Sequence, residues 1–382
     1  MDKEYICPRC GNKNSRYIGV IKGQKYCRLC ISFQGKSAPS YTPLPHRNHF
    51  LKLDYKLSIE QEKIAQRIKK NFENNINTLV HAVTGAGKTE LVYYSMLMAL
   101  HQGKRVGFAI PRKDVVVEIA GRLKSAFPSS VITAVYGGQN SDLGGDIIVL
   151  TTHQLYRYDH FFDLLIFDEI DAFPYRDSIV LSSFLRKAVR GTIIYLSATV
   201  DPTDKANFQK QGGEVIELFH RYHGRPLPIP SIVQGWGVIN YWHLFWTVRT
   251  LLKMAAPVFI FVPTIAMAKK TFRFLNIFFK KGNYVHSQRK KRAEIIDRFR
   301  NHQYRYLCCT SVLERGVTVA KLKVIVFNAD HYLFDRATLV QIAGRSGRKR
   351  SDPIGRVIFI SETVTTAMKD AINDIKEKNI DL

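Results

Sequence analysis

No apolar run in this 382-residue chain approaches the ~20 residues that a membrane-spanning helix needs, and no signal peptide opens it. A cytoplasmic setting is therefore expected. No internal repeat stands out. Acidic residues are scarce, 32 against 57 Lys and Arg, for a net charge of +25. The imbalance is uneven: residues 1–50 carry +7, residues 51–200 only +3 and residues 201–382 +15. A polyanion is the natural partner of such a chain, and nucleic acid is the commonest one. Apolar residues are plentiful at 46%, with 12% aromatic, which excludes a disordered chain and allows several cores. The length calls for two or three domains.

Cysteine is also scarce, six in all, but four of them fall in ICPRC and CRLC as Cys7, Cys10, Cys27 and Cys30. Two CxxC pairs 16 residues apart match the spacing of a zinc site, in which four thiolates complete a tetrahedron. No histidine follows either pair, which excludes haem attachment, and a cytoplasmic setting disfavours disulfides. Four protein ligands leave no open position, so this Zn²⁺ would be structural. The knuckle carries Lys3, Arg9, Lys13, Arg16, Lys22, Lys25 and Arg28, which suits nucleic-acid contact; a folding clip or a protein-docking module is the other reading. Cys308 and Cys309 lie in the apolar run YRYLCCTS and read as buried strand residues. Residues 37–49, rich in Pro and Ser, read as a linker to the body.

Beyond the linker, short apolar runs alternate with amphipathic stretches, the pattern of a parallel α/β sheet. TLVHAV (78–83) reads as a buried strand and residues 88–103 as a helix, with TGAGKT between them. Glycines there let backbone N–H groups curl around phosphate, and the helix N-terminus adds partial positive charge. Lys88 would reach the β- and γ-phosphates of ATP, and Thr89 would bind Mg²⁺. Ala82 stands where the general pattern has its first glycine. Further strands are expected at 105–111, 146–152, 161–171 and 192–199. Asp168 and Glu169 follow the third of these, at a carboxyl end, where α/β sheets hold ligands. Asp168 can hold Mg²⁺, and Glu169 can deprotonate the attacking water; a solvated acidic turn is the plainer reading.

The ordered series A-x-T-G-x-G-K-T, DEID, SAT (197–199) and QIAGRSGR (341–348) resembles superfamily 2 helicases and translocases, from about residue 55 to 361. The resemblance implies two RecA-like parallel-sheet lobes. It assigns Gln61 to the adenine and Thr84, Gly85, Ala86, Gly87, Lys88, Thr89 and Gly316 to the nucleotide. Pro111, Arg112, Thr151 and Thr152 fall where single-strand contacts lie in that superfamily. FVPT (261–264), VHS (285–287) and TSVLERGVT (310–318) match its later motifs, which adds Thr264 and Thr310 to the strand contacts. Within the superfamily, the DEIDAFP run, the ERGVT run and the leading four-cysteine knuckle resemble the ComFA family of ATPases, associated with uptake of transforming DNA by competent bacteria. A ComFC-like protein and the membrane channel for DNA are then implied partners, with the enzyme peripheral at the inner face of the membrane. PriA-like helicases also combine zinc with such a motor, but carry their zinc sites between motor motifs.

The second lobe follows a Pro- and Gly-rich stretch, with strands expected at 257–264, 304–311, 323–329 and 355–361 and no phosphate loop of its own. The reading divides the chain into a zinc knuckle and linker (1–50), an ATP-binding lobe (51–212) and a C-terminal lobe (213–382). SQRKKRAEIIDRFR would set Arg289, Lys290, Lys291, Arg292, Arg298 and Arg300 around one helix, either on DNA or merely solvating it. YWHLFWTVRTLL (241–252) offers stacking for bases or, more ordinarily, helix core. Arg345 and Arg348, three apart on a helix, would share a face, with Gln341 one turn earlier. Such arginines would reach the γ-phosphate across a cleft when the lobes close. The chain reads as an ATP-driven single-stranded DNA translocase; a nucleotide-switched DNA clamp, an RNA helicase and a PriA-like replication or repair helicase are the alternatives.

Overall fold

The computed structural model describes residues 5–138, 142–169, 178–221, 224–310, 319–347 and 355–380. Two compact units are present: residues 1–82 with 87–218, and residues 83–86 with 219–382.

The chain opens with a hairpin of β1 (Ile18–Ile21) and β2 (Gln24–Cys27), which closes the cysteine knuckle. After α1 (Ile59–Glu73) the first unit alternates strand and helix. Its elements are β3 (Thr78–Ala82), α2 (Lys88–Leu91), α3 (Tyr93–His101), β4 (Val106–Ile110), α4 (Lys113–Ala126), β5 (Ile132–Val135) and β6 (Ile147–Thr151). A 3₁₀ segment (Thr152–Arg157) leads to β7 (Phe162–Asp168), α5 (Ile179–Ala188), β8 (Val189–Ser197), α6 (Pro202–Lys210) and β9 (Glu214–Leu218). All seven strands from β3 onward form one parallel sheet in the order β5-β6-β4-β7-β8-β3-β9. The central strands are buried on both faces and mostly apolar, as a sheet covered by helices on both sides requires.

The second unit repeats the plan with β10 (Ser231–Gln234), α7 (Val238–Lys253), β11 (Val258–Phe261), α8 (Ile265–Phe278), β12 (Gly282–Val285) and α9 (Arg292–Arg300). It continues through β13 (Tyr306–Cys309), β14 (Lys323–Phe327), α10 (Arg336–Ala343), β15 (Val357–Ser361) and α11 (Thr366–Glu377). Its parallel sheet runs β10-β15-β14-β11-β13-β12. Cys308 and Cys309 are fully buried strand residues.

Three sequence expectations shift. β9 pairs with β3, so the first unit extends to Leu218 and not to 212. The leading 50 residues join the first unit: the four cysteines share a core with Phe184 and Leu185 of α5. Residues 38–52 are a strap laid along that unit. Ala38 N–H donates to the Arg157 carbonyl at 2.8 Å, Leu44 N–H to Gly103 at 2.7 Å and Lys52 N–H to Ala126 at 2.8 Å.

Candidate nucleotide site

β3 delivers the chain into the glycine loop. Gly85 and Gly87 take φ of 90° and 80°, the left-handed region where only glycine sits without strain. A Cβ on Gly87 would fall 2.6 Å from Gln61 Nε2, so the loop has room for backbone only. α2 then starts at Gly87 with no side chain capping its amides. An uncapped helix start behind a glycine turn is an anion cradle, and the donor set fits the phosphates of ATP. The Lys88 ammonium donates to the Ala82 carbonyl at 3.0 Å, lying back along the loop. Thr89 is buried in the first turn. Gln61 sits in a capping box at the head of α1: its Oε1 accepts from Ser58 N–H at 2.9 Å, which leaves Nε2 toward Gly87.

Asp168 ends β7, and β8 lies between that strand and β3. Glu169 is held at φ 58°, unusual for a non-glycine residue, and its N–H donates to the Leu196 carbonyl and Asp168 Oδ1, both at 2.9 Å. These bonds fix the turn that presents the carboxylate pair, and backbone strain of this kind clusters at functional sites. Ser197 and Thr199 of SAT close their own turn: the Ser197 hydroxyl donates to the Thr199 carbonyl at 2.7 Å.

Because the sheet is parallel, its carboxyl edge carries these groups in strand order. Thr151 ends β6 and Thr152 follows it, Pro111 and Arg112 follow β4, Asp168 ends β7, Ser197 ends β8, and the glycine loop follows β3. Arg112 is the residue from which α4 starts, without a side-chain cap, and both threonines are buried.

The cysteine sulfurs converge as the spacing requires. Cys7 and Cys30 Sγ lie 3.6 Å apart, Cys10 and Cys27 3.7 Å, and all four within 4.8 Å of one another. A tetrahedron with metal–sulfur bonds of ~2.3 Å has edges of about 3.8 Å, so the set fits Zn²⁺. Burial pushes the Cys10 thiol up to about 11 and raises Cys30 as well. A divalent cation would supply the charge that lets such thiols ionise. The knuckle docks on the 3₁₀ segment: Phe33 stacks 6.1 Å from His153 and meets Phe184 edge-on at 5.0 Å, and the Tyr156 hydroxyl donates to the Gln34 carbonyl at 2.6 Å.

In the second unit, α10 stops at Ala343, so Arg345 lies in the turn after the helix and not on its face. Gly344 ends the helix, and Gly347 takes φ 67°. Gln341, on the last turn of α10, and Arg345 are both buried. Arg348 and Gly316 lie outside the described residues, as does most of TSVLERGVT. Arg221, which sequence reasoning passed over, holds this turn. Its guanidinium, only 2% exposed, donates to the carbonyls of Gly344 (3.2 Å), Ser346 (3.0 Å) and Gly347 (2.6 Å). The Ser346 hydroxyl donates to the Leu322 carbonyl at 2.6 Å. Nothing in the irregular stretch around Arg221 marks it; only the fold brings it to a turn more than 120 residues away.

Thr264 follows β11 and Thr310 follows the neighbouring β13. The Thr264 hydroxyl caps α8 by accepting from Met267 N–H at 3.2 Å. The basic cluster is not one helix: α9 begins at Arg292, so Lys290 and Lys291 precede it. Arg289 turns away, its guanidinium 4.0 Å above the Tyr284 ring and bonded to Asn283. Ile295, Ile296 and Phe299 are the buried face of α9.

Residues 54–201 match the family of the type III restriction enzyme res subunit, and residues 244–350 the helicase conserved C-terminal domain. The chain is 35% identical to the competence protein ComFA of Bacillus subtilis (strain 168), over 99% of this chain and 86% of that one. It is 32% identical to the ComFA of Streptococcus pneumoniae, over 98% and 90%. Among solved structures it resembles S. cerevisiae Dbp5 bound to RNA and ADP BeF3, with a TM-score of 0.65 at 15% identity, covering 85% of this chain and 92% of that one. That likeness is one of fold: two RecA-like lobes.

Proposed function

Since the chain belongs to the ComFA family and is an ATP-hydrolysing, superfamily 2 helicase-like enzyme, we propose that it moves along single-stranded DNA and drives uptake of transforming DNA. The observation that carries this reading is the carboxyl edge of the first sheet. One edge holds an anion cradle at β3, a carboxylate pair at β7 and, on the next two strands, the arginine after β4 and the threonines at the end of β6, which suit a nucleic-acid backbone. Nucleotide state and strand contact are then linked through adjacent strands of a rigid sheet.

Gln61 reads the adenine, and the backbone from Thr84 to Gly87 wraps the phosphates with Lys88 on the β- and γ-oxygens. Mg²⁺, held by Thr89 and Asp168, would neutralise charge as the γ-phosphoryl transfers. Glu169 orients the attacking water and takes its proton. Negative charge then grows on the γ-oxygens, and Arg345 and Arg348 supply countercharge from the second unit, with Gln341 placing the water or the phosphate. Gly316 is assigned to the nucleotide by the resemblance alone. Pro111, Arg112, Thr151 and Thr152 grip the strand from the first unit. Thr264, Thr310, Lys290, Lys291 and Arg292 grip it from the second. Cys7, Cys10, Cys27 and Cys30 would hold a structural Zn²⁺ that keeps the knuckle folded, while Phe33 and Gln34 seat it on the 3₁₀ segment. A ComFC-like protein and the DNA channel are the partners the family suggests, which would set the enzyme at the inner face of the membrane. Among the described residues no helix is long and apolar enough to cross one.

ATPase activity measured with single-stranded DNA, duplex DNA and RNA tests the reading, together with displacement of a bound block as DNA length varies. Stimulation by DNA with length-dependent displacement is expected. Stimulation without displacement would make the protein a clamp, and preference for RNA would overturn the substrate. About one zinc per chain is expected by elemental analysis, lost in Cys27→Ser.

A further inference from the structure

The chain has three tryptophans, Trp236, Trp242 and Trp246, and all are exposed, at 69%, 53% and 56%. Trp242 and Trp246 stand one turn apart on α7 and flank Phe245, with ring centroids 5.8 and 5.3 Å from its own. They are not needed to hold the helix down. Leu244, Val248, Leu251 and Leu252 already bury the other face of α7 against the sheet. Phe245 in turn packs on Phe278 at the end of α8, 4.9 Å away, and Phe278 and Ile277 continue the apolar surface at 48% and 70% exposure. A contiguous exposed patch of this kind marks an interaction surface.

Its charge says what kind of partner it fits. Residues 218–293 contain no Asp or Glu at all, but 13 Lys and Arg. The Arg249 guanidinium lies 5.1 Å from the Trp246 ring and the Lys270 ammonium 5.3 Å from that of Tyr241, while Lys253 ends α7 exposed. Flat rings beside Arg249, Lys253 and Lys270 suit a polyanion that carries planar apolar faces; the carboxylate of Glu362 lies at the N-terminal end of α7, where it accepts from Gly237 N–H at 3.0 Å. Single-stranded nucleic acid has both, whereas a duplex hides its base faces in the stack. The surface also begins at the same edge of the sheet as the proposed track. α7 leads into β11, so it starts at the carboxyl edge of the second sheet, where Thr264 and Thr310 stand, and runs down the sheet's outside.

We propose that the α7–α8 face is a further single-strand contact, with bases stacked on Trp242 and Trp246 and phosphates on Arg249, Lys253 and Lys270. The inference rests on the reading of the chain as a single-strand motor. It gives the strand a sequence-tolerant hold outside the strand ends, one that does not open and close with nucleotide.

All the tryptophan emission of the protein comes from this neighbourhood, so fluorescence reports on it directly. Titration of the full chain with oligo(dT) should quench the emission. W242A/W246A should weaken oligo(dT) binding, followed by filter retention, by roughly tenfold or more, the scale of one lost base stack. Its DNA-free ATPase should be unchanged. W242F/W246F, which keeps two rings, should recover most of the affinity. Unquenched emission with wild-type affinity in the double alanine variant would overturn this inference and leave the motor reading standing. No oligo(dT) binding by the wild type under any readout would sink both. Two other outcomes overturn it in favour of a different occupant. One is emission that responds to phosphatidylglycerol vesicles and not to oligo(dT). The other is concentration-dependent self-association that the alanine variant abolishes.

Discussion

The two sheets make the same passage from a central strand to a helix in opposite ways. From the first sheet β3 enters α2 through a turn with Gly85 and Gly87 in the left-handed region, and no side chain caps the helix. In the second, β11 enters α8 through Val262, Pro263 and Thr264, and the Thr264 hydroxyl closes the helix start on Met267 N–H. The first helix start carries no side-chain cap, as a phosphate-binding turn requires; the second is capped from within. A parallel α/β unit therefore does not bind phosphate by virtue of its fold. The turn has to forgo its own cap, and only one of these two does. The second unit contributes differently, with its charge and with a turn after α10 welded by Arg221 and Ser346.

The largest effect that would sharpen this division falls on Arg345. If the second unit supplies countercharge to the transferring phosphoryl group, Arg345→Ala should lower ATP turnover by 10³–10⁵, roughly 4–7 kcal/mol, with nucleotide binding by the first unit retained. Substantial turnover with lost DNA binding would assign Arg345 to the strand instead. Glu169→Gln comes next. It should cut steady-state turnover by ~10² or more while ATP and Mg²⁺ still bind, and wild-type turnover would remove Glu169 from the role of base. Gly87→Ala tests the open turn itself. A Cβ there is strained at φ 80° and meets Gln61, so nucleotide binding measured by calorimetry should weaken by roughly tenfold, the scale of a 1–2 kcal/mol penalty. The matching change at the closed turn is the smallest. Thr264→Ala should cost about 1 kcal/mol of stability through the lost cap, a few degrees in a melting curve, and leave nucleotide binding unchanged. Equal effects of the last two on nucleotide affinity would break the comparison.

The central strands were legible because each is a continuous apolar run. The edge strands β5, β9, β10 and β12 were not, since one face or one side of each meets solvent and their burial is broken. That is why the boundary at 212 fell short of Leu218. In the site, the glycine loop and the carboxylate pair could be read from spacing. The pairing of Gln61 with Gly87 and the hold of Arg221 on the Gly344–Gly347 turn could not.

What the sequence determined by itself is what short spacing encodes. Two CxxC pairs bring four thiols together, glycines at 85 and 87 permit positive φ, and an apolar run before Asp168 puts a carboxylate at a strand end. The glycines and the strand end depend on backbone geometry within a few residues, and the two cysteine pairs, 16 residues apart, are closed by the short β1–β2 hairpin, so each is written locally. The tertiary structure alone decided how these parts are held. It ended α10 at Ala343, put Arg345 in the following turn and laid residues 38–52 along the first unit. It also left Trp242 and Trp246 in solvent because four aliphatic neighbours had already filled the inner face of α7. These outcomes depend on which surfaces are covered by partners distant in the chain, and neither periodicity nor composition carries that information.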